Sequence, residues 1–155
     1  MMKKIKFLSV FAVLTGFTLF FSGCKKDEKT TDITMYNISA TLNGAQESPA
    51  VTTNGTGTVT GTYDKNTKTL SYTVNWTNLS GNATIAHFHG PAAPGTNASI
   101  VVPFSFTAGA TSATGTTTLT DQQESDLLNG LWYANVHTQA HGGGEIRGQV
   151  TATLQ

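Results

Sequence analysis

From Thr69 to Thr77 every second residue is a large apolar one. Leu70, Tyr72, Val74 and Trp76 alternate with Ser71, Thr73 and Asn75. An extended strand separates two such sets, because successive side chains on a strand point to opposite faces. One face is then buried and the other wet, as in an antiparallel sheet. "ITMYNISATL" (33–42) alternates in the same way, and "GTVTGTYD" (57–64) forms a hairpin with 68–79 across "DKNTK". Further strands are predicted at 84–90, 99–106, 112–120, 131–138 and 145–154. Pro103 marks the 99–106 strand as an edge strand or a bulged one. Only 120–129 breaks the pattern. Thr120 and Gln123 make a capping-box pair, Leu127 and Leu128 give an apolar face, and Gly130 is a stop signal. The expected fold is all-β: an antiparallel sandwich or barrel of about seven to eight strands with one short helix at about 120–129.

The first 23 residues belong to a different class. Lys3, Lys4 and Lys6 precede an apolar run from Phe7 to Phe21. That is the layout of a secretory signal peptide, and the run is short for a membrane span. It ends in "FSGC", where small residues precede Cys24, the one cysteine of the chain. The stretch is similar to a lipobox, with Phe21 in place of the usual Leu, so Cys24 is the expected lipidation site. A lone cysteine in an exported chain calls for such an explanation. Residues 24–32 are charged and lack apolar side chains beyond the cysteine, which suits a tether. The expected organisation is signal peptide 1–23, tether 24–32 and a single domain 33–155. The expected location is the outer membrane, with the acidic residues Asp27 and Glu28 soon after Cys24 also fitting export to its outer face. The membrane partner is reached through the lipid on Cys24.

Loss of residues 1–23 leaves six basic residues against nine acidic ones. The exported chain has no basic patch, which argues against a nucleic-acid partner.

Chemistry-bearing residues concentrate in two short pieces. All four histidines lie in "IAHFHG" (85–90) and "NVHTQAHGGGEIRGQ" (135–149). By strand parity His87 and His89 share a face, opposite Ala86 and Phe88. Tyr133, Asn135 and His137 lie opposite Trp132, Ala134 and Val136. Glu145, Arg147 and Gln149 lie opposite Ile146, Gly148 and Val150. If these strands are neighbours, His87, His89, His137 and Glu145 form one cluster with Arg147 at its margin. Three imidazoles and a carboxylate suit zinc or copper. They suit still better a hydrogen-bonded network that serves the fold, with Glu145 and Arg147 paired and the imidazoles bonded to backbone at loop ends. His141 sits in a glycine-rich loop and is expected to be exposed. Gly142–Gly144 lack the lysine and the strand-loop-helix setting of a phosphate cradle. No serine stands in a nucleophile elbow.

Three motifs, in order, resemble the CHRD (chordin) domain family. Leu42, Gly44, Gln46, Glu47, Pro49 and Val51 match its opening motif. Ala86, His87, His89, Gly90 and Pro91 match its centre, with Phe88 in place of the usual Ile. Tyr133, Asn135, Val136, His137, Thr138, Gly144, Glu145, Ile146, Arg147, Gly148 and Gln149 match its end. The resemblance runs from about Met35 to Leu154. It implies an exported domain; in chordin such domains belong to an extracellular protein that binds a growth factor. It makes Glu47, Pro49, Asn135 and Arg147 family-motif residues along with the histidines. It does not imply that they bind metal.

The leading expectation is a lipid-anchored, non-enzymatic binding module with a protein or glycan ligand. The alternative is a zinc or copper protein with a His-x-His plus distant His site, of redox or hydrolytic use.

Overall fold

A computed structural model describes residues 34–155. The expected signal peptide, Cys24 and the expected tether lie outside the described residues. The strands are β1 (Met35–Asn43), β2 (Thr56–Asp64), β3 (Thr69–Thr77), β4 (Ala83–His89), β5 (Ile100–Pro103), β6 (Ser112–Thr118), β7 (Tyr133–Thr138), β8 (Ile146–Gln149) and β9 (Thr151–Leu154). A 3₁₀ turn follows β1 at Gly44–Gln46, and helix α1 (Asp121–Leu128) precedes β7. All pairings are antiparallel, in one sheet of order β5-β4-β7-β8-β1-β2-β3-β6, with β9 also on β1.

The described residues are all-β with a single short helix, as the alternation predicts. The strand count exceeds expectation because the last segment divides. β8 pairs mainly with β7, and β9 pairs with β1. Between them the Val150 N–H donates to the Trp132 carbonyl at 2.8 Å and leaves the ladder. The strand expected at 99–106 shortens to β5. Pro103 has no N–H to donate, and β5 is indeed an edge. The hairpin 56–77 is in register from Thr56↔Thr77 to Asp64↔Thr69.

The sheet curls. β3 and β4 stand near opposite ends of the strand order, yet the Tyr72 and Phe88 rings pack edge-on with centroids 5.1 Å apart. Phe104 completes that contact, 5.1 Å from Tyr72 and 4.7 Å from Phe88. The predicted apolar faces line this interior: Leu70, Tyr72, Val74 and Trp76 from β3, Ala134 and Val136 from β7, with Trp132 just before it. Helix α1 starts with the predicted capping box, in which the Thr120 side chain accepts from the Gln123 N–H and the Gln123 side chain accepts from the Thr120 N–H. Gly130 follows it at φ +69°, where a side chain would be strained. Among the described residues no helix is long and apolar enough to cross a membrane.

One face departs from the simple in-out rule. All six residues of β7 are buried. Its polar face is roofed by loop residues: Thr96 and Asn97 bond Arg147, the Ala98 N–H donates to the Tyr133 hydroxyl, and the Gly142 carbonyl meets His137. The candidate site lies under that roof.

Candidate metal centre

β4 and β7 are neighbours, with His87 opposite Asn135 and His89 opposite Tyr133. Parity turns His87, His89, Asn135 and His137 to one side, and the three rings meet there. One ligand nitrogen from each of His87, His89 and His137 lies within 4.8 Å of the others. Ring centroids are 5.1 Å apart for His87 and His89, and 5.0 Å for His87 and His137. His87 and His137 are buried, and His89 is half-buried.

Two of the rings are held by backbone. His89 Nδ1 lies 2.9 Å from the Ala98 carbonyl, and His137 Nδ1 lies 3.0 Å from the Gly142 carbonyl. A carbonyl only accepts, so these nitrogens carry the proton and Nε2 keeps its lone pair. Both Nε2 atoms point at the same atom, Asn135 Oδ1, at 3.2 Å from His89 and 2.8 Å from His137. His87 Nδ1 is buried without a hydrogen-bond partner. Tyr133 stacks flat on His89, with centroids 4.7 Å apart and planes 6° apart. Arg147 covers the other side of Tyr133, with its guanidinium carbon 3.4 Å from the ring centroid. Its Nη1 and Nη2 donate to Asn97 Oδ1 and the Thr96 carbonyl. Arg147 is thus at the margin of the cluster, where the parity argument puts it.

Charge follows burial. Burial lowers the His87 pKa to about 4; the neighbouring His137 and His89 push the same way, and the Asn135 amide opposes. His137 is lowered too, by burial first and then His89, against the pull of the Gly142 carbonyl. Both rings are therefore neutral at pH 7, the form that binds metal. Glu47 enters from the segment after β1. Burial raises its carboxyl to about 7, against the Arg147 charge, the Asn135 amide and the Ser48 N–H. Its Oε1 lacks a hydrogen bond of good geometry. The Gly144 α-carbon is pressed against this pair: a Cβ there would lie 2.5 Å from both Asn135 Nδ2 and Glu47 Oε1.

The structure does not bring Glu145 to the histidines. Glu145 sits on a bend before β8, so strand alternation does not reach it. Its carboxylate lies on the Thr138 side of β7 and accepts four hydrogen bonds. Thr53 Oγ1 and the Ser80 N–H reach Oε1 at 2.6 and 2.7 Å; Ser80 Oγ and Thr138 Oγ1 reach Oε2, each at 2.6 Å. Burial would raise its pKa, but these donors outweigh it and hold it at about 2. Glu145 is a tie between three loops, and the cluster is three histidines with Asn135. His141 is half-buried in the β7–β8 loop and takes no part. Pro49 follows a cis peptide bond after Ser48, whose carbonyl accepts from Asn97 Nδ2 at 3.2 Å.

The hub of the site was in view only as a motif position. Asn135 lies between Tyr133 and His137 on one face, and that spacing was the available signal. The carbonyls of Ala98 and Gly142 leave no mark in the sequence.

Searches among curated proteins and among solved structures returned no match. A family model, the CHRD domain, matches residues 38–150, which covers all three motifs and every residue of the histidine cluster, and the chain belongs to the CHRD domain family.

Proposed function

We propose that this CHRD domain binds a zinc- or copper-class ion through His87, His89 and His137. The observation that carries the reading is the convergence of three imidazole nitrogens to within 4.8 Å, with two of the rings fixed through Nδ1 by backbone carbonyls. A carbonyl on the far nitrogen is the usual way a ligating imidazole is oriented. Beyond these backbone partners, the free nitrogens of two rings aim at a single amide oxygen, which draws them toward one point. Bound there, the ion would supply Lewis acidity or redox chemistry. The residues themselves supply a preformed set of donors.

The domain is further proposed to work at the cell envelope, held at the outer membrane by lipid on Cys24. The features supporting this are the "FSGC" ending of the apolar run and the charged tether after it. A second reading, a non-enzymatic interaction module for a protein or glycan, draws on Ile85 and Ile100. These are 50% and 53% exposed beside an edge groove of about 410 Å³ that His87 also lines.

The deciding experiment is metal analysis of residues 33–155 after exposure to Zn²⁺ or Cu²⁺ and dialysis. One equivalent retained by the native domain, and lost in His87→Ala, is the expected result. A domain that emerges metal-free ends the metal reading and leaves the interaction module, which crosslinking in the envelope would then test. Cys24→Ala should leave the membrane fraction or stay unprocessed. Normal processing and sedimentation with membranes would refute the anchor.

A further inference from the structure

The proton count at Asn135 does not balance. A neutral imidazole has one N–H. His89 and His137 each face two acceptors, a backbone carbonyl at Nδ1 and the Asn135 Oδ1 at Nε2. Each ring is thus one proton short, or something positive belongs between the Nε2 atoms and the amide oxygen. Double protonation would instead set two cationic rings against one amide oxygen in a largely buried site. Turning the amide over would give both rings a donor. It would also set the amide oxygen against the Glu47 carboxyl oxygen, beside which the amide nitrogen now lies. A cation at the centre satisfies all three acceptors as they stand.

We propose that Asn135 Oδ1 is the fourth ligand of the ion, completing a three-histidine, one-amide set. Glu47 is a positioning residue that holds the Asn135 amide nitrogen away from the rings. The proposal rests on the metal reading above and deepens it. The spacing fits. Ligands about 2.0–2.1 Å from a tetrahedral ion stand roughly 3.3 Å from one another, and the amide oxygen is 2.8 and 3.2 Å from the two Nε2 atoms. Gly144 is required for the same reason. Any side chain there would strike both Asn135 and Glu47, and its φ of +125° excludes most residues in any case.

Co²⁺ is the probe, because its visible absorption is intense in four-coordinate sites and weak in six-coordinate ones. Native residues 33–155 should bind one Co²⁺ with intense visible bands. Asn135→Ala should bind at least tenfold more weakly, with displaced or weakened bands. Asn135→Asp keeps an oxygen in place and adds charge, so it should bind at least as tightly as the native domain. Glu47→Gln should weaken binding without moving the bands, as expected of a residue that positions a ligand. Near-ultraviolet circular dichroism of each metal-free variant establishes folding. If Asn135→Ala fails to fold, Asn135→Asp decides: loss of affinity there overturns the assignment. A folded Asn135→Ala with native affinity and native bands overturns it as well, while leaving the three-histidine site standing. No binding of Co²⁺, Zn²⁺ or Cu²⁺ by the native domain overturns both readings together.

Discussion

Glu145→Gln isolates the worth of one buried charge. The substitution keeps size and shape. The amide can retain all four hydrogen bonds: its oxygen at the Oε1 position accepts from Thr53 and the Ser80 N–H, and its NH₂ donates to the Ser80 and Thr138 hydroxyls, which rotate to accept. What is lost is the charge, and bonds to an ionised acceptor are roughly twice as strong as neutral ones. The pKa supplies the size of that loss. A fall from 4.5 to about 2 amounts to about 3 kcal/mol in favour of the charged form. The sign is that of a carboxyl lowered by folding. The stabilisation is whole above pH 4.5 and disappears as the pH falls from there through about 2. Urea unfolding of residues 33–155 should therefore give a gap of about 2–3 kcal/mol between native and variant at pH 7. The gap should shrink steadily between pH 4.5 and pH 2.5. A gap below about 1 kcal/mol at neutral pH, or one indifferent to acid, would show that the four donors do not hold a charge.

Trp132→Ala should cost about 3–5 kcal/mol, because the ring is fully buried against Phe88, whereas His141→Ala should stay within about 0.5 kcal/mol; equal shifts in urea midpoint would invert the face assignment of this segment. Gly148→Ala should destabilise by about 2 kcal/mol or more, since its Cβ would lie 2.4 Å from the Thr41 carbonyl oxygen, a backbone atom that cannot move aside; a native-like thermal midpoint would refute that contact. Acid should release metal, since a protonated imidazole has no lone pair to give. Retained Zn²⁺ should fall as the pH is lowered from about 7 to about 4, and retention unchanged at about pH 4 would contradict ligation through the three imidazoles.

Local pattern was legible, and distant pairing was not. Alternation along β3 gave the core face of Leu70, Tyr72, Val74 and Trp76 because a regular strand has no other way to sort its side chains. The same rule brought three histidines to one face of β4 and β7, given that the two strands are neighbours. It failed at Glu145, where the chain bends and parity lapses one residue before β8. The roof was illegible for a different reason. Thr96, Asn97 and Ala98 reach Arg147 and His89 largely through backbone atoms, which any residue supplies. Asn135 could be placed on the right face, but its shared role depends on two rings from different strands aiming at one oxygen, and that is a matter of ångströms.

The strand order carries a consequence for how the chain is made. β7 and β8, among the last strands in sequence, lie between β4 and β1. Until β7 and β8 are in place, no strand ladder joins the β4–β5 hairpin to the rest of the sheet. Contacts of such long sequence separation form slowly. A chain stopped before Leu131 would expose the inner edges of β4 and β1 at once, two unpaired ladders open to other chains. His137 and Asn135 arrive on the same closing strand that joins the halves. The histidine cluster thus comes together as the sheet seals, and a chain lacking β7 does not possess it.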